Sequence, residues 1–117
     1  MDLLVEAASA AEVRALAPDS AAPAKVAARA VIVTAAGDGM ADIVSRVFAP
    51  SIGLAEDPVT GSAHCSLAPF WFQRLAATEL HAEQASARGG SLHTKLDGEQ
   101  VILTGHAVTV VSGELHV

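Results

Sequence analysis

One cysteine, one tryptophan, three phenylalanines and no tyrosine are unusually few for a chain of 117 residues. A single cysteine excludes an intrachain disulfide, and with it the usual mark of an oxidising compartment. It also leaves thiolate zinc sites without ligands, and the five histidines (His64, His81, His93, His106, His116) show no short ligand spacing to replace them. Basic residues number 7 against 13 acidic ones, for a net charge of −6, and they form no run. That balance excludes nucleic acid or an anionic membrane surface as the main partner. No apolar run has the length of a membrane span, and the N-terminus lacks a basic segment followed by a hydrophobic core. The expectation is a soluble, cytoplasmic protein needing neither metal nor cofactor.

What is present is a chain that is 51% hydrophobic but only 3% aromatic, much of it alanine. Its length suits one domain with a modest core built of small side chains. Leu3 to Glu6 reads as a short strand. Ser9-Ala10-Ala11-Glu12 has the spacing of a capping box and predicts a short helix continuing to Leu16 and ending near Pro18. Residues 19–30 read as an alanine-rich connection. Val31 to Thr34 is a β-branched run typical of a buried strand. Gly37-Asp38-Gly39 signals a turn, and the alternation from Ala41 to Phe48 predicts the second strand of a hairpin.

The centre of the chain is Glu56 to Trp71, EDPVTGSAHCSLAPFW. A polar turn there leads into a helix predicted over about 63–77, interrupted by Pro69. The hydroxyl of Thr60 or of Ser62 can cap it. Almost every residue of this helix is apolar or small, which predicts burial on nearly all sides. Its first turn would then present free backbone N–H groups and the positive dipole end to an anion, most naturally a carboxylate or phosphate. Further strands are predicted at 82–87, 91–96, 101–104, 107–111 and 115–117. Asp97-Gly98 marks a tight hairpin between two of them.

EDPVTGSAH followed by LAPFW resembles the signature of the PhzF-like isomerases of phenazine biosynthesis, relatives of diaminopimelate epimerase. SRVFAP (Ser45 to Pro50), QxSxRGG (Gln84 to Gly90) and VILTGHAVTV (Val101 to Val110) are similar to the same family, in the same order. The resemblance implies an α+β fold, a curved, mostly antiparallel sheet wrapped around one central helix. It covers only the second of the family's two pseudo-symmetric lobes. The whole chain, 1–117, is thus expected to be a single C-terminal lobe without its N-terminal counterpart.

By the same resemblance, Asp57 and Ser62 fall on positions that contact substrate at the mouth of the cleft. Thr60, Gly61, Ala63 and His64 accompany them in the motif. In bare chemistry, Ser62 can donate to an anion, Asp57 can accept a proton or orient an amine, and Gly61 lets a ligand approach the backbone. Both Asp57 and Ser62 also have the residue types that simply close a turn and cap a helix. Arg88 with Gly89 either brings a cation to the same anion, or is a solvated turn, or pairs internally with Asp57 or Glu56. His64 either faces the cleft or is a hydrogen-bonded structural histidine. Cys65 reads as a small packed residue rather than a nucleophile. The family's acid/base glutamate belongs to the lobe that has no counterpart here. The implied function is a proton shift on a small carboxylate-bearing substrate, with a homodimer or a separate first-lobe chain completing the cleft. The alternative is an inactive fragment or a small-anion-binding module.

Overall fold

Residues 1–17 and 26–117 are described by the computed structural model. The alanine-rich connection read over 19–30 lies partly outside them. Strand β1 (Leu3–Glu6) runs parallel to β2 (Val31–Ala36), and between them lies helix α1 (Ala10–Ala15). The cap forms at Ser9 as expected, its Oγ accepting from the Glu12 N–H at 3.2 Å, while the Glu12 carboxylate reaches one residue past the cap and accepts from the Ala8 N–H at 3.1 Å. Strand β2 pairs antiparallel with β3 (Ile43–Ala49), which makes the predicted hairpin across Gly37–Gly39. Gly37 is obligatory in that turn, because a Cβ there would lie 1.9 Å from the Ala41 carbonyl oxygen.

After a single 3-10 turn (Pro50–Ile52) come β4 (Leu54–Asp57) and helix α2 (Gly61–Leu75). Strands β5 (Glu79–Gln84), β6 (Gly90–Asp97) and β7 (Gln100–Thr104) follow. The described strands form one seven-stranded sheet in the order β1-β2-β3-β5-β6-β7, with β4 also paired to β3. Four of its pairings are antiparallel and two, β1 with β2 and β3 with β5, are parallel. The fold is thus α+β, one sheet with a helix packed against it. The tight hairpin is present: Asp97 pairs with Gln100, and Gly98 takes the first loop position at φ 59°.

Strand β3 is the centre of this architecture. Alternate side chains point to opposite faces of a sheet, and both faces of β3 are covered. Ile43 and Val47 join a core with Leu67, Ala68, Trp71 and Phe72 of α2. Val44 faces the other way, into a smaller core with Ala10 and Val13 of α1. The lone Trp71 fixes α2 on the sheet: its indole N–H donates to Thr34 Oγ1 at 3.0 Å, and that hydroxyl donates to the Val44 carbonyl at 2.9 Å. An indole N–H buried this way needs such a partner.

Several expectations are corrected. Helix α2 starts at Gly61, and only one face of it is buried, carrying Ala63, His64, Leu67, Ala68, Trp71 and Phe72. Cys65 lies on the other face and is exposed, not packed. An apolar composition cannot say which face lacks a neighbour. The polar turn expected at Glu56–Pro58 begins as the end of strand β4, which runs to Asp57, and the strand expected at 82–87 lies at Glu79–Gln84. Finally, residues 107–111 and 115–117 form no strand; the last strand of the sheet is β7.

Candidate functional site

The entry to α2 sits at a fork in the sheet. The first half of β3 (Ile43–Ser45) pairs with β5, whereas Val47 and Ala49 pair with β4, and the two partners part at Arg46. Parting strands leave backbone groups in the connecting turn without ladder partners, and buried groups of that kind must be satisfied some other way. Gln84, the last residue of β5, does this and is fully buried. Its Nε2 donates to the Asp57 carbonyl at 2.6 Å and to Thr60 Oγ1 at 3.1 Å, while its Oε1 accepts from the Thr60 N–H at 2.8 Å.

The rest of the Gln84–Gly90 run holds the same turn. Ser86 Oγ donates to the Pro58 carbonyl at 2.8 Å and accepts from the Gly89 N–H at 3.1 Å. Gly90 lies so close to Val59 that a Cβ would fall 2.1 Å from its Cγ2. Sequence reasoning gave this run a strand and a cation and missed its scaffolding role. The signal was there, in polar Gln84 and Ser86 two residues apart in the segment predicted as a strand, a spacing that would send both to one face.

Thr60 occupies the N-cap position of α2, but its side chain caps nothing. Its single hydroxyl proton goes to Asp57 Oδ2 at 2.6 Å, with its oxygen accepting from Gln84. Ser62 lies inside the first turn and does not cap either. The expected hydroxyl cap is therefore absent, and the first turn keeps free N–H groups at the positive end of a fifteen-residue helix. Asp57, Thr60, Ser62 and Ala63 together line a cavity of about 120 Å³, closed on its other sides by Val47, Ala49, Leu54 and the Asp2–Arg29 pair. That pair is bidentate, at 2.8 and 2.5 Å, and its guanidinium holds the Asp2 carboxyl below the usual carboxylate range.

The other expected residues stand elsewhere. Arg88 and Gly89 line a second cavity, with Val59, Gly90 and His106, and not the one at Ser62. Arg88 is exposed, and the partner of Glu56 is instead Arg46, at 2.7 and 2.9 Å, while Asp57 is held by Thr60. Arg46 also donates to the Leu16 carbonyl and stacks over Phe48, tying the fork to the end of α1. His64 is fully buried, with Nδ1 2.8 Å from the Thr60 carbonyl oxygen, so the Nδ1–H form donates to it. Its Nε2 is buried without a partner among the described residues, and burial pushes the ring's pKa down, keeping it neutral. Among the described residues no three His, Cys, Asp or Glu side chains converge as a metal site. No helix of the described residues is long and apolar enough to cross a membrane.

Comparison with known proteins identifies the family of the chain as a whole. The PhzC-PhzF family, described as phenazine biosynthesis-like protein, matches residues 1–113. The chain belongs to the PhzC-PhzF family. An uncharacterised isomerase of Pseudomonas aeruginosa is 57% identical over 113 residues, covering 97% of this chain and 43% of that protein. A second one, from Halalkalibacterium halodurans, is 44% identical over 115 residues, with the same coverage of both. A crystal structure of a PhzF-family phenazine biosynthesis protein from Enterococcus faecalis matches with a TM-score of 0.90 at 40% identity, over 99% of this chain and 45% of that one. A Clostridium difficile PhzC/PhzF protein gives 0.88 at 36% identity, with the same coverage. This PhzC-PhzF chain therefore spans less than half the length of the relatives it matches.

Proposed function

We propose that this chain forms one wall of an isomerase- or epimerase-type active site that shifts a proton on a small carboxylate-bearing substrate. The observation that carries the reading is the uncapped start of α2 beside Asp57 and Ser62 on one cavity. Free N–H groups at a helix start bind a carboxylate without any cationic side chain, and Ser62 adds a hydroxyl donor. Thr60 holds Asp57 Oδ2 in place, so that Oδ1 orients a substrate amine or hydroxyl or takes a proton. Thr60, Gly61 and Ala63 belong to the same subsite through their backbone. His64 shapes it from behind by binding the Thr60 carbonyl.

A cavity of about 120 Å³ is well below the ~300–1,000 Å³ of sites that enclose a small molecule. The opposite wall comes from outside residues 1–117, and it supplies the second acid/base group. A second reading, anion binding without turnover, is favoured by the one-sided cavity, whose other carboxylate, Asp2, is already paired with Arg29.

The test is binding of a panel of small amino and hydroxy carboxylates, with solvent deuterium incorporation at carbon followed by mass spectrometry. Asp57→Asn and Ser62→Ala should each lower exchange at least tenfold without changing the fold. Exchange and binding untouched by both variants would place the site elsewhere, and binding without any exchange would establish the second reading.

A further inference from the structure

Two histidines with no ligand spacing in the sequence are brought together by the pairing of β5 and β6. His81 and His93 stand directly opposite one another in the antiparallel register. Leu80 and Ala82 point into the core under α2, so alternation turns His81 to the other face of the sheet. His81 spends both backbone groups on Asp42: its N–H donates to Asp42 Oδ2 at 2.7 Å, and its carbonyl accepts from the Asp42 N–H at 2.8 Å. It therefore exchanges no backbone bonds with His93, and in antiparallel sheets such pairs bring their side chains closest. The two imidazoles lie with ring centroids 4.9 Å apart and planes inclined by 50°. Both can be reached from solvent, His81 being exposed and His93 half-buried. His81 also borders a cavity of about 210 Å³, with Met40, Glu83 and Ser91.

We propose that His81 and His93 chelate one divalent transition-metal ion across β5 and β6, of the class that imidazole nitrogen prefers: zinc, copper or nickel. The separation of the rings suits it. A ring nitrogen lies roughly 1.1 Å from its ring centroid and about 2.0–2.1 Å from a bound zinc. Two imidazoles meeting at one ion at about 90–110° then have centroids roughly 4.5–5.2 Å apart. The observed 4.9 Å falls inside that range, so side-chain rotation admits the ion and neither strand moves. Glu79 supplies the third ligand. It precedes His81 by two residues on the same face, and its Oε2 lies 3.5 Å from His93 Nε2. Its Oε1 pairs with Lys95 at 2.7 Å, an exposed contact that contributes little and yields to an ion. Because Glu79 must first leave Lys95, no trio of ligands converges beforehand among the described residues. Glu83, on the other side of His81, is held by Arg14 and stays out. Water completes the shell. With nitrogen as two of its three protein ligands, the site disfavours magnesium and calcium, which take oxygen. The proposal goes beyond the functional reading, because the ion needs nothing from Asp57 or Ser62.

Calorimetric titration of the untagged chain with zinc, beside magnesium, tests it directly. The expected result is one zinc per chain and no magnesium. His81→Asn and His93→Gln should each weaken zinc binding at least tenfold, and Glu79→Gln by a smaller factor. His106→Asn and His116→Asn, at exposed positions away from the pair, should leave it unchanged. Circular dichroism checks that every variant keeps the parent fold. Copper bound to the same chain should show an electron paramagnetic resonance spectrum coupled to two nitrogens, and to one in either pair variant. Absence of one-to-one zinc binding, binding that survives both pair variants, or binding lost equally in the His106 and His116 variants overturns the proposal. Asp57→Asn should leave zinc binding untouched, so failure here and failure of the proposed site can be told apart.

Discussion

His64 is the residue whose chemistry is most at odds with its surroundings. It sits on the buried face of α2 with Nδ1–H bonded to Thr60 and Nε2 unpaired among the described residues, and burial disfavours its charged form. Its folded pKa therefore lies below the ordinary 6.5. Above that value neither the folded nor the unfolded chain protonates this ring, and its contribution does not vary with pH. As pH falls through 6.5 the unfolded chain takes up the proton first, so the folded state loses stability until pH passes the lowered folded value. Urea unfolding at pH 7 and pH 5 should show this loss, and His64→Gln should remove most of the difference between the two. An equal pH dependence in the variant would assign the loss to other groups. Asp57 and Ser62 are simpler cases. Both were legible in the sequence as members of a motif, because a turn leading into a helix is encoded by residues next to one another.

Among the elements, β5 and α2 show how a strand end can build a helix start. The fork at Arg46 opens a gap, and Gln84 fills it with three hydrogen bonds to the Asp57–Thr60 turn. Gln84→Ala strands a part-buried donor and a part-buried acceptor, each worth about 1–3 kcal/mol if water does not replace the bond. Denaturant unfolding should show a loss of about 3 kcal/mol, and carboxylate binding should weaken as the turn loosens. Gln84→Glu should be no better, since it keeps the acceptor for the Thr60 N–H but removes both donors and sets a second carboxylate beside Asp57. A variant as stable as the parent would mean that water can take over these bonds. None of this could be read along the chain. Gln84 meets partners 24 and 27 residues away, and nothing local announces a sheet that splits. The other end of α2 departs from expectation in a smaller way: Ala76 takes the left-handed position at φ 49°, where glycine is usual.

For the molecule as a whole, the sheet is shared by two cores. Trp71 reports on the core under α2, and α1 covers the smaller one formed by Ala10, Val13, Ala35 and Val44. Because β3 contributes to both, loss of one face exposes the other, and the chain should unfold as a unit. Trp71 fluorescence and far-ultraviolet circular dichroism should give coincident denaturant transitions, whereas an earlier dichroism change would mean that the α1 layer melts alone. A two-sided β3 also explains why its sequence is buried at every position except Arg46, beyond what simple alternation predicts.

The amino-acid order fixes what depends on near neighbours. The cap at Ser9, the turns at Gly37 and Gly98, the strand runs before Thr104 and the Thr-Gly-Ser entry to a helix all arise from backbone preferences and hydrogen bonds a few residues apart. Three-dimensional packing settles whatever depends on residues brought from far along the chain. It turns Thr60 from a cap into a clamp on Asp57, sends Arg88 to a different cavity from Ser62, exposes Cys65, and leaves the valines after Gly105 outside the sheet. The physical reason is the same in each case. A side chain's propensity is its own, but burial and hydrogen-bond partners belong to whatever surface the topology sets against it.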